Sequence, residues 1–311
     1  MHVTATPGAW PVVLTPFTAS DEIDFDALDR YVDWLIDHGA EGLFAVALSG
    51  EMYELSEAER RAVAARVVRR SGGRVPVAAS VVGGRGLLEE AVELARTGVD
   101  VVVLIASAVL DEDEDESRLL EVARAIAEVV PQADLGIYEC PLPYHRVLSE
   151  RTVAALAATG RFVFFKETSH DVDRMAARVA GAAETPLRVF NAGIENFAES
   201  VQVGVAGLSG WVVNVAPDLV ARLGALAAVE GLSPRVVALQ RALVEIEQRM
   251  GPTYPGSAKA IVERRAAIGW SPRSRWRSAE VDAELVDDLV AAITREAARE
   301  DGAREEGGVR A

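Results

Sequence analysis

The strongest constraint on this chain is an alternation repeated along most of its length: a short run of apolar, β-branched and aromatic residues, then a longer stretch with helical periodicity. The apolar runs fall at Trp10–Leu14, Gly42–Ala47, Val75–Val82, Asp100–Ile105, Leu135–Tyr138, Phe162–Lys166, Leu187–Asn191 and Gly207–Val213. Behind Asp24, an N-cap candidate, Phe25, Leu28, Val32, Leu35 and Ile36 share one helical face, and Ser56-Glu-Ala-Glu59 is a capping box that opens the next helix. Later helical stretches cover 87–97, 117–130, 149–158, 172–182, 195–203 and 217–229. Strands that are apolar almost throughout need cover on both faces, as in a parallel sheet wrapped by helices, and eight strand–helix units close into a barrel. Residues 1–230 are therefore expected to form a (β/α)8 TIM barrel. The alternative, an open doubly wound sheet, would place a glycine-rich phosphate loop after its first strand, and Thr15-Pro-Phe-Thr18 is not one.

Beyond Val229 the strand pattern stops. Segments 233–249, 257–268 and 279–298 read as three helices of a C-terminal extension, residues 231–298, separated by Gly251-Pro-Thr-Tyr-Pro-Gly256 and Gly269-Trp-Ser-Pro272. Residues 299–311, charged and glycine-bearing, are expected to be a disordered tail.

Composition narrows the function. A net charge of -16 argues against nucleic acid or an anionic membrane surface as a partner. The amino terminus shows no basic segment followed by an apolar one, and the longest apolar stretch, Val101–Leu110, is too short to span a bilayer. One cysteine, Cys140, allows no internal disulfide and fits a cytoplasmic setting. Scattered histidines offer no metal-ligand spacing, so no metal is expected, and Gly83-Gly-Arg-Gly86 lacks the spacing and context of a dinucleotide loop.

In such a barrel the chemistry collects at the carboxyl ends of the strands. The chain has 32 basic residues, and only Lys166 and Lys259 are lysine. Lys166 ends the sixth apolar run, Phe162-Val-Phe-Phe-Lys166, on a wall that would dehydrate its ammonium. Dehydration lowers an amine's pKa and frees the neutral form that condenses with a ketone, which arginine cannot do. The plainer reading pairs Lys166 with Glu167 or Asp171. Tyr138 ends the neighbouring run, within reach of a carbon held by that lysine, where a phenol can act as acid and base. After the second run, Ser49 and adjacent amides are placed to cradle a carboxylate, with Gly50 letting the backbone come close. Amine, phenol and carboxylate cradle together describe a site for a small-molecule 2-keto acid, with a covalent lysine imine and no separate cofactor.

These segments resemble the dihydrodipicolinate synthase/N-acetylneuraminate lyase family of class I aldolases, nearly end to end. Val12-Val-Leu-Thr-Pro-Phe17 is similar to the family's first strand, and Ser49-Gly50-Glu51 with Leu55-Ser-Glu-Ala-Glu-Arg60 to its Gly-Thr-Thr-Gly-Glu loop and next helix. Tyr138-Glu-Cys-Pro141 resembles its Tyr-Asn-x-Pro segment, and Phe164-Phe-Lys-Glu-Thr-Ser-His-Asp171 its Schiff-base lysine segment. Gly204-Val-Ala-Gly207, Asn214-Val-Ala-Pro217 and Lys259 also have counterparts. The resemblance implies that Lys166 forms an imine with pyruvate or a pyruvate-bearing sugar acid, that Tyr138 shuttles protons, and that Ser49 holds the carboxylate. It also implies a homotetramer or homodimer.

Departures bear on the substrate. Leu48 stands where the family's synthases have a relay threonine, the expected second tyrosine after the fourth strand is missing from Leu104–Leu110, and Pro143 replaces an arginine that receives a second carboxylate. Authentic 4-hydroxy-tetrahydrodipicolinate synthesis is disfavoured on these grounds. Asn191, Glu195 and Ser209 are candidates for sugar hydroxyls, and Arg146 for the missing carboxylate contact. Lys259, with no apolar strand before it, reads as a packing residue. The reading is a Schiff-base lyase or aldolase; the alternatives are a 2-keto-3-deoxy sugar acid dehydratase or aldolase using the same imine, and a weakened barrel that binds a metabolite.

Overall fold

The computed structural model describes residues 6–83 and 86–307, with side chains as far as 299. The first residues, on which the absence of an export leader was read, and the centre of Gly83–Gly86 lie outside the described residues. Eight parallel strands run β1 (Gly8–Ala9), β2 (Leu43–Val46), β3 (Val77–Val81), β4 (Val101–Ile105), β5 (Asp134–Tyr138), β6 (Phe162–Glu167), β7 (Arg188–Asn191) and β8 (Gly207–Leu208). Their order in the sheet, β1-β8-β7-β6-β5-β4-β3-β2, follows the chain around a ring. Parallel bridges Ala9–Ala40 and Val12–Phe44 join the two ends, with the Phe44 amide donating to Pro11 O and the Val13 amide to Phe44 O. The sheet is therefore closed, as the eightfold alternation predicts.

The end strands are shorter than the sequence suggests. Trp10–Leu14 is buried, but Pro11 has no amide to give a ladder, so this segment pairs through isolated bridges and the regular strand is only Gly8–Ala9. In the last run, β8 ends at Leu208 and Val212–Asn214 forms a 3-10 turn. Apolar content alone does not separate a buried strand from a buried turn. A glycine is required at 207, where a Cβ would lie 2.4 Å from Gly8 O.

The helices are α1 (Phe25–Asp37), α2 (Glu57–Ser71), α3 (Leu87–Ala95), α4 (Ala106–Val109), α5 (Ser117–Val129), α6 (Glu150–Ala157), α7 (Val172–Gly181), α8 (Phe197–Gln202), α9 (Pro217–Glu230), α10 (Pro234–Met250), α11 (Gly256–Ala266) and α12 (Ala283–Gly307). Asp24 caps α1 by accepting the Ala27 amide at 2.9 Å, and the Ser56–Glu59 capping box of α2 is present in both directions. The last helix continues into the stretch expected to be a tail, whose residues 308–311 lie outside those described. Among the described residues no helix is long and apolar enough to cross a membrane.

Side chains alternate across each strand, and this places the site. Phe164 of β6 meets Trp10 (5.0 Å between ring centroids), Phe44 (5.4 Å) and Phe190 (4.9 Å) inside the barrel. Two residues further on, Lys166 lies on that same inward face. Phe165 and Glu167 face α7 instead, where the Arg178 guanidinium lies 5.1 Å from the Phe165 ring. Gly136 on β5 leaves room for this packing, since a Cβ there would come within 3.2 Å of the Phe164 ring.

Candidate active site

Lys166 ends the inward row of β6 above the aromatic layer. It is 5% exposed, and its Nζ lies 4.8 Å from the Tyr138 ring centroid and 5.8 Å from that of Phe44. Tyr138 and Lys166 are Cα partners across the β5–β6 ladder, so adjacent strand ends bring them together by register alone. Burial pulls the amine down to about 8, against an opposite pull from Cys140 and Glu247. The plainer reading of Lys166 is not what the structure shows. Glu167 is bound by Arg178, and Asp171 caps α7 by accepting the Arg174 amide at 3.1 Å.

Burial also drives the Tyr138 phenol well above its ordinary range, leaving a neutral hydroxyl in contact with Cys140. A second phenol reaches this corner from an unexpected place. Tyr53, in the turn before α2, donates to Leu142 O at 2.8 Å and stands 3.9 Å from Cys140 Sγ. Tyr144 is engaged elsewhere, donating to Ser107 O at 3.2 Å and to Leu110 O.

The loop after β2 turns at once into a 3-10 helix, Leu48–Gly50. The amides of Gly50 and Glu51 close that turn on Ala47 O and Leu48 O, whereas those of Leu48 and Ser49 have no backbone acceptor among the described residues. Gly50 is needed for packing. A Cβ there would lie 2.8 Å from Val13 O, and its carbonyl accepts from Thr15 Oγ1 at 2.7 Å. Beside Ser49 stands Tyr254 from the helical extension, which accepts from Asn214 Nδ2 at 2.6 Å and stacks on Trp211 at 4.4 Å.

Two buried charge clusters hold the loops in place. Behind β5 and β6, Arg178 of α7 binds both Glu139 (2.8 Å) and Glu167, the residues that directly follow Tyr138 and Lys166. Glu139 also accepts the amides of Leu148 (2.8 Å) and Thr168 (3.1 Å), and burial raises its carboxyl to about 7. At the β2 loop, Glu51 receives Lys259 Nζ at 2.6 Å, Ser274 Oγ at 2.9 Å and the amides of Arg275 (2.7 Å) and Trp276 (2.9 Å). Lys259 is thus the clasp between extension and barrel mouth.

Not every candidate gathers here. Asn191 spends its side chain within its own turn, donating to Asn196 Oδ1 at 2.8 Å and Ser200 Oγ at 3.1 Å while accepting the Gly193 amide at 2.8 Å. Arg146 points to the acidic segment before α5, bonded to Glu112 O and Glu114 O (2.6 Å) and 4.0 Å from Glu116. The acidic run therefore takes the arginine expected to meet a substrate carboxylate. Ser209 is buried just past β8, with no partner for its hydroxyl among the described residues. A further residue, Glu247 of α10, was invisible in the sequence: its Oε2 accepts the Val212 amide at 2.7 Å, and its carboxyl is pushed up to about 7 by burial.

The sequence profile of the Dihydrodipicolinate synthetase family matches residues 6–291. The chain belongs to this family. Among its relatives, an uncharacterized DapA-like lyase of Halobacterium salinarum is 32% identical over 290 residues, covering 91% of this chain and 93% of that protein. The 4-hydroxy-tetrahydrodipicolinate synthase 1 of Streptomyces coelicolor is 30% identical over 290 residues, covering 90% of each. Among solved structures, the sialic acid aldolase of Ruminococcus gnavus superposes with a TM-score of 0.84 at 20% identity, covering 95% of this chain and 99% of that one. YagE of E. coli K12, solved in complex with pyruvate, gives 0.79 at 21% identity, covering 93% and 98%. As a member of the dihydrodipicolinate synthetase family this protein is a DapA-like lyase or aldolase, and the structural likenesses add the shared barrel.

Proposed function

We propose that the protein is a Schiff-base lyase that makes or breaks a carbon–carbon bond next to pyruvate or a pyruvate-derived 2-keto acid. The observation that carries this reading is Lys166: an amine with no ion-pair partner among the described residues, brought down to about 8, at the strand end beside Tyr138. In the reaction, Lys166 Nζ adds to the keto carbon and water leaves, giving an iminium. Loss of a proton from the adjacent carbon forms an enamine, which attacks an aldehyde; Tyr138 passes the proton to the new alkoxide. Cleavage is the reverse. The keto acid's carboxylate is received by Ser49 and the amides of Leu48 and Ser49. The imine supplies the electron sink, so the proposal needs no separate cofactor. Leu48, at the place of the relay threonine, and Pro143 with the engaged Arg146, which leave a second substrate carboxylate without its arginine, speak against authentic 4-hydroxy-tetrahydrodipicolinate synthesis. A homotetramer or homodimer in the cytoplasm completes the proposal.

The test is turnover of pyruvate with a panel of aldehydes, followed by product mass, in the native protein and in Lys166→Ala. A two-component product from the native protein alone supports the reading. Products that keep every carbon in one molecule would indicate dehydration instead, and equal turnover in Lys166→Ala would refute the imine.

A further inference from the structure

The barrel mouth is unequally furnished. On the β2 side stand Ser49, two open amides and the neutral phenol of Tyr254. On the side of β6 to β8 three ionisable groups arrive from three elements: Glu247 from α10, Glu195 from the turn Ile194–Asn196, and His170 from the turn between β6 and α7. His170 Nδ1 lies 2.5 Å from Glu195 Oε1. Glu247 is fixed through Oε2 to the Val212 amide at 2.7 Å. The Ser209 hydroxyl, just past the end of β8 and three residues before Val212, is buried and has no partner among the described residues.

Three cations set around the strand ends are already engaged. Arg146 is held by Glu112, Glu114 and Glu116, Arg178 by Glu139 and Glu167, and Lys259 by Glu51. Among the described residues, Lys166 is the lysine or arginine at the mouth with no ion pair, and the proposed imine uses it.

Building on the imine reading, we propose that Glu247 makes the second subsite a charge filter: the aldehyde partner of the keto acid is uncharged and hydroxyl-bearing, its hydroxyls met by Glu247 and Ser209, while aldehydes carrying carboxylate or phosphate are turned away. A carboxylate accepts hydroxyl hydrogens and repels anions, and in a partly dehydrated mouth both effects are strong.

The filter depends on pH. The charged groups facing Glu247 are Glu195, which raises its pKa further, and His170 and Lys166, which oppose that rise. Tyr254 stays neutral, Glu199 of α8 is engaged by Gln240, and Arg249 by Glu245 and Asp288. Glu247 loses its proton near pH 7, and His170, held above its ordinary value by Glu195, keeps its own to higher pH than a free imidazole before losing it. Both changes make the mouth more negative, so discrimination sharpens as pH rises.

The experiment compares kcat/KM for pyruvate-dependent condensation with D-glyceraldehyde, succinic semialdehyde and glyceraldehyde 3-phosphate at pH 6 and pH 8. The native protein should prefer the uncharged aldehyde by at least about tenfold at pH 8, and by less at pH 6. Glu247→Gln should lose most of that preference and its pH dependence, while borohydride still fixes pyruvate on Lys166. Ser209→Ala, a second and smaller change, should weaken only the uncharged aldehyde. A native preference for either anionic aldehyde, a preference unchanged in Glu247→Gln, or no condensation with any of the three while trapping persists would overturn the filter. Absence of trapping in the native protein would instead overturn the imine reading beneath it.

Discussion

Tyr138 and Lys166 face each other as Cα partners at the ends of neighbouring strands, with the lysine nitrogen 4.8 Å from the centre of the phenol ring. Neither is positioned by a mobile loop. Both follow from strand register and from a shared inward face, and the residue after each, Glu139 and Glu167, is tied to one guanidinium behind the sheet. The pair is rigid because what holds it is buried.

Removing only the Tyr138 hydroxyl separates imine formation from proton transfer. Tyr138→Phe keeps the ring beside Lys166, so borohydride should still trap pyruvate, while turnover falls by about 10²–10⁴-fold, the usual worth of a positioned acid–base group. Parallel measurement of trapping and steady-state rate checks this. Equal loss of both would assign Tyr138 to packing.

The Arg178 cluster should dominate stability near the site. Arg178→Met leaves two carboxylates buried without their cation and is expected to cost about 3–5 kcal/mol in denaturant unfolding. Glu139→Gln should cost much less, since its carboxyl already titrates near neutrality.

Glu139 also sets a direction with pH. Its carboxyl rises from 4.5 to about 7 on folding, so between these values the folded protein holds a proton that the unfolded chain releases. That contribution is complete below about pH 4.5 and is lost as pH rises through about 7. The melting temperature should therefore fall between pH 5 and pH 8, and Glu139→Gln should flatten the fall. A native melting temperature that climbs across this window would contradict the assignment.

Much of this was legible beforehand. Eight apolar runs at regular spacing specify a closed parallel sheet, and a lone lysine ending one of them is conspicuous in a chain that otherwise uses arginine. The capping residues Asp24 and Ser56 act locally and are found where they were expected. What escaped was long-range. Glu247 and Tyr254 lie on the helical extension, where Glu247 looks like one more polar residue on a helix and Tyr254 like part of a Gly-Pro break; only tertiary packing turns them toward the barrel. Arg146 and Asn191 failed in the opposite way. Each has the right chemistry at a strand end, but nearer acceptors, carbonyls of 112 and 114 for one and Asn196 with Ser200 for the other, take the side chain first.

The clasp between Lys259 and Glu51 predicts strong coupling. Lys259→Met leaves Glu51 with three donors but no cation, and Glu51→Gln leaves a buried ammonium. Each should destabilise the protein by about 3–5 kcal/mol. Because the two share one interaction, the double variant should fall short of the sum by about 0.5–3 kcal/mol in a denaturation cycle. Additive losses would show that the Lys259–Glu51 pair does not act as one unit.

The central claim is that Lys166 is an amine made reactive by burial. The most direct measurement is the initial rate of pyruvate trapping by borohydride as a function of pH, with the modified residue located by peptide mapping. The account predicts a single adduct on Lys166, none on Lys259, and a rate that rises to half its maximum near pH 8, where burial places this amine. An adduct on any other residue, or a midpoint near the 10.5 of an ordinary lysine, would contradict it.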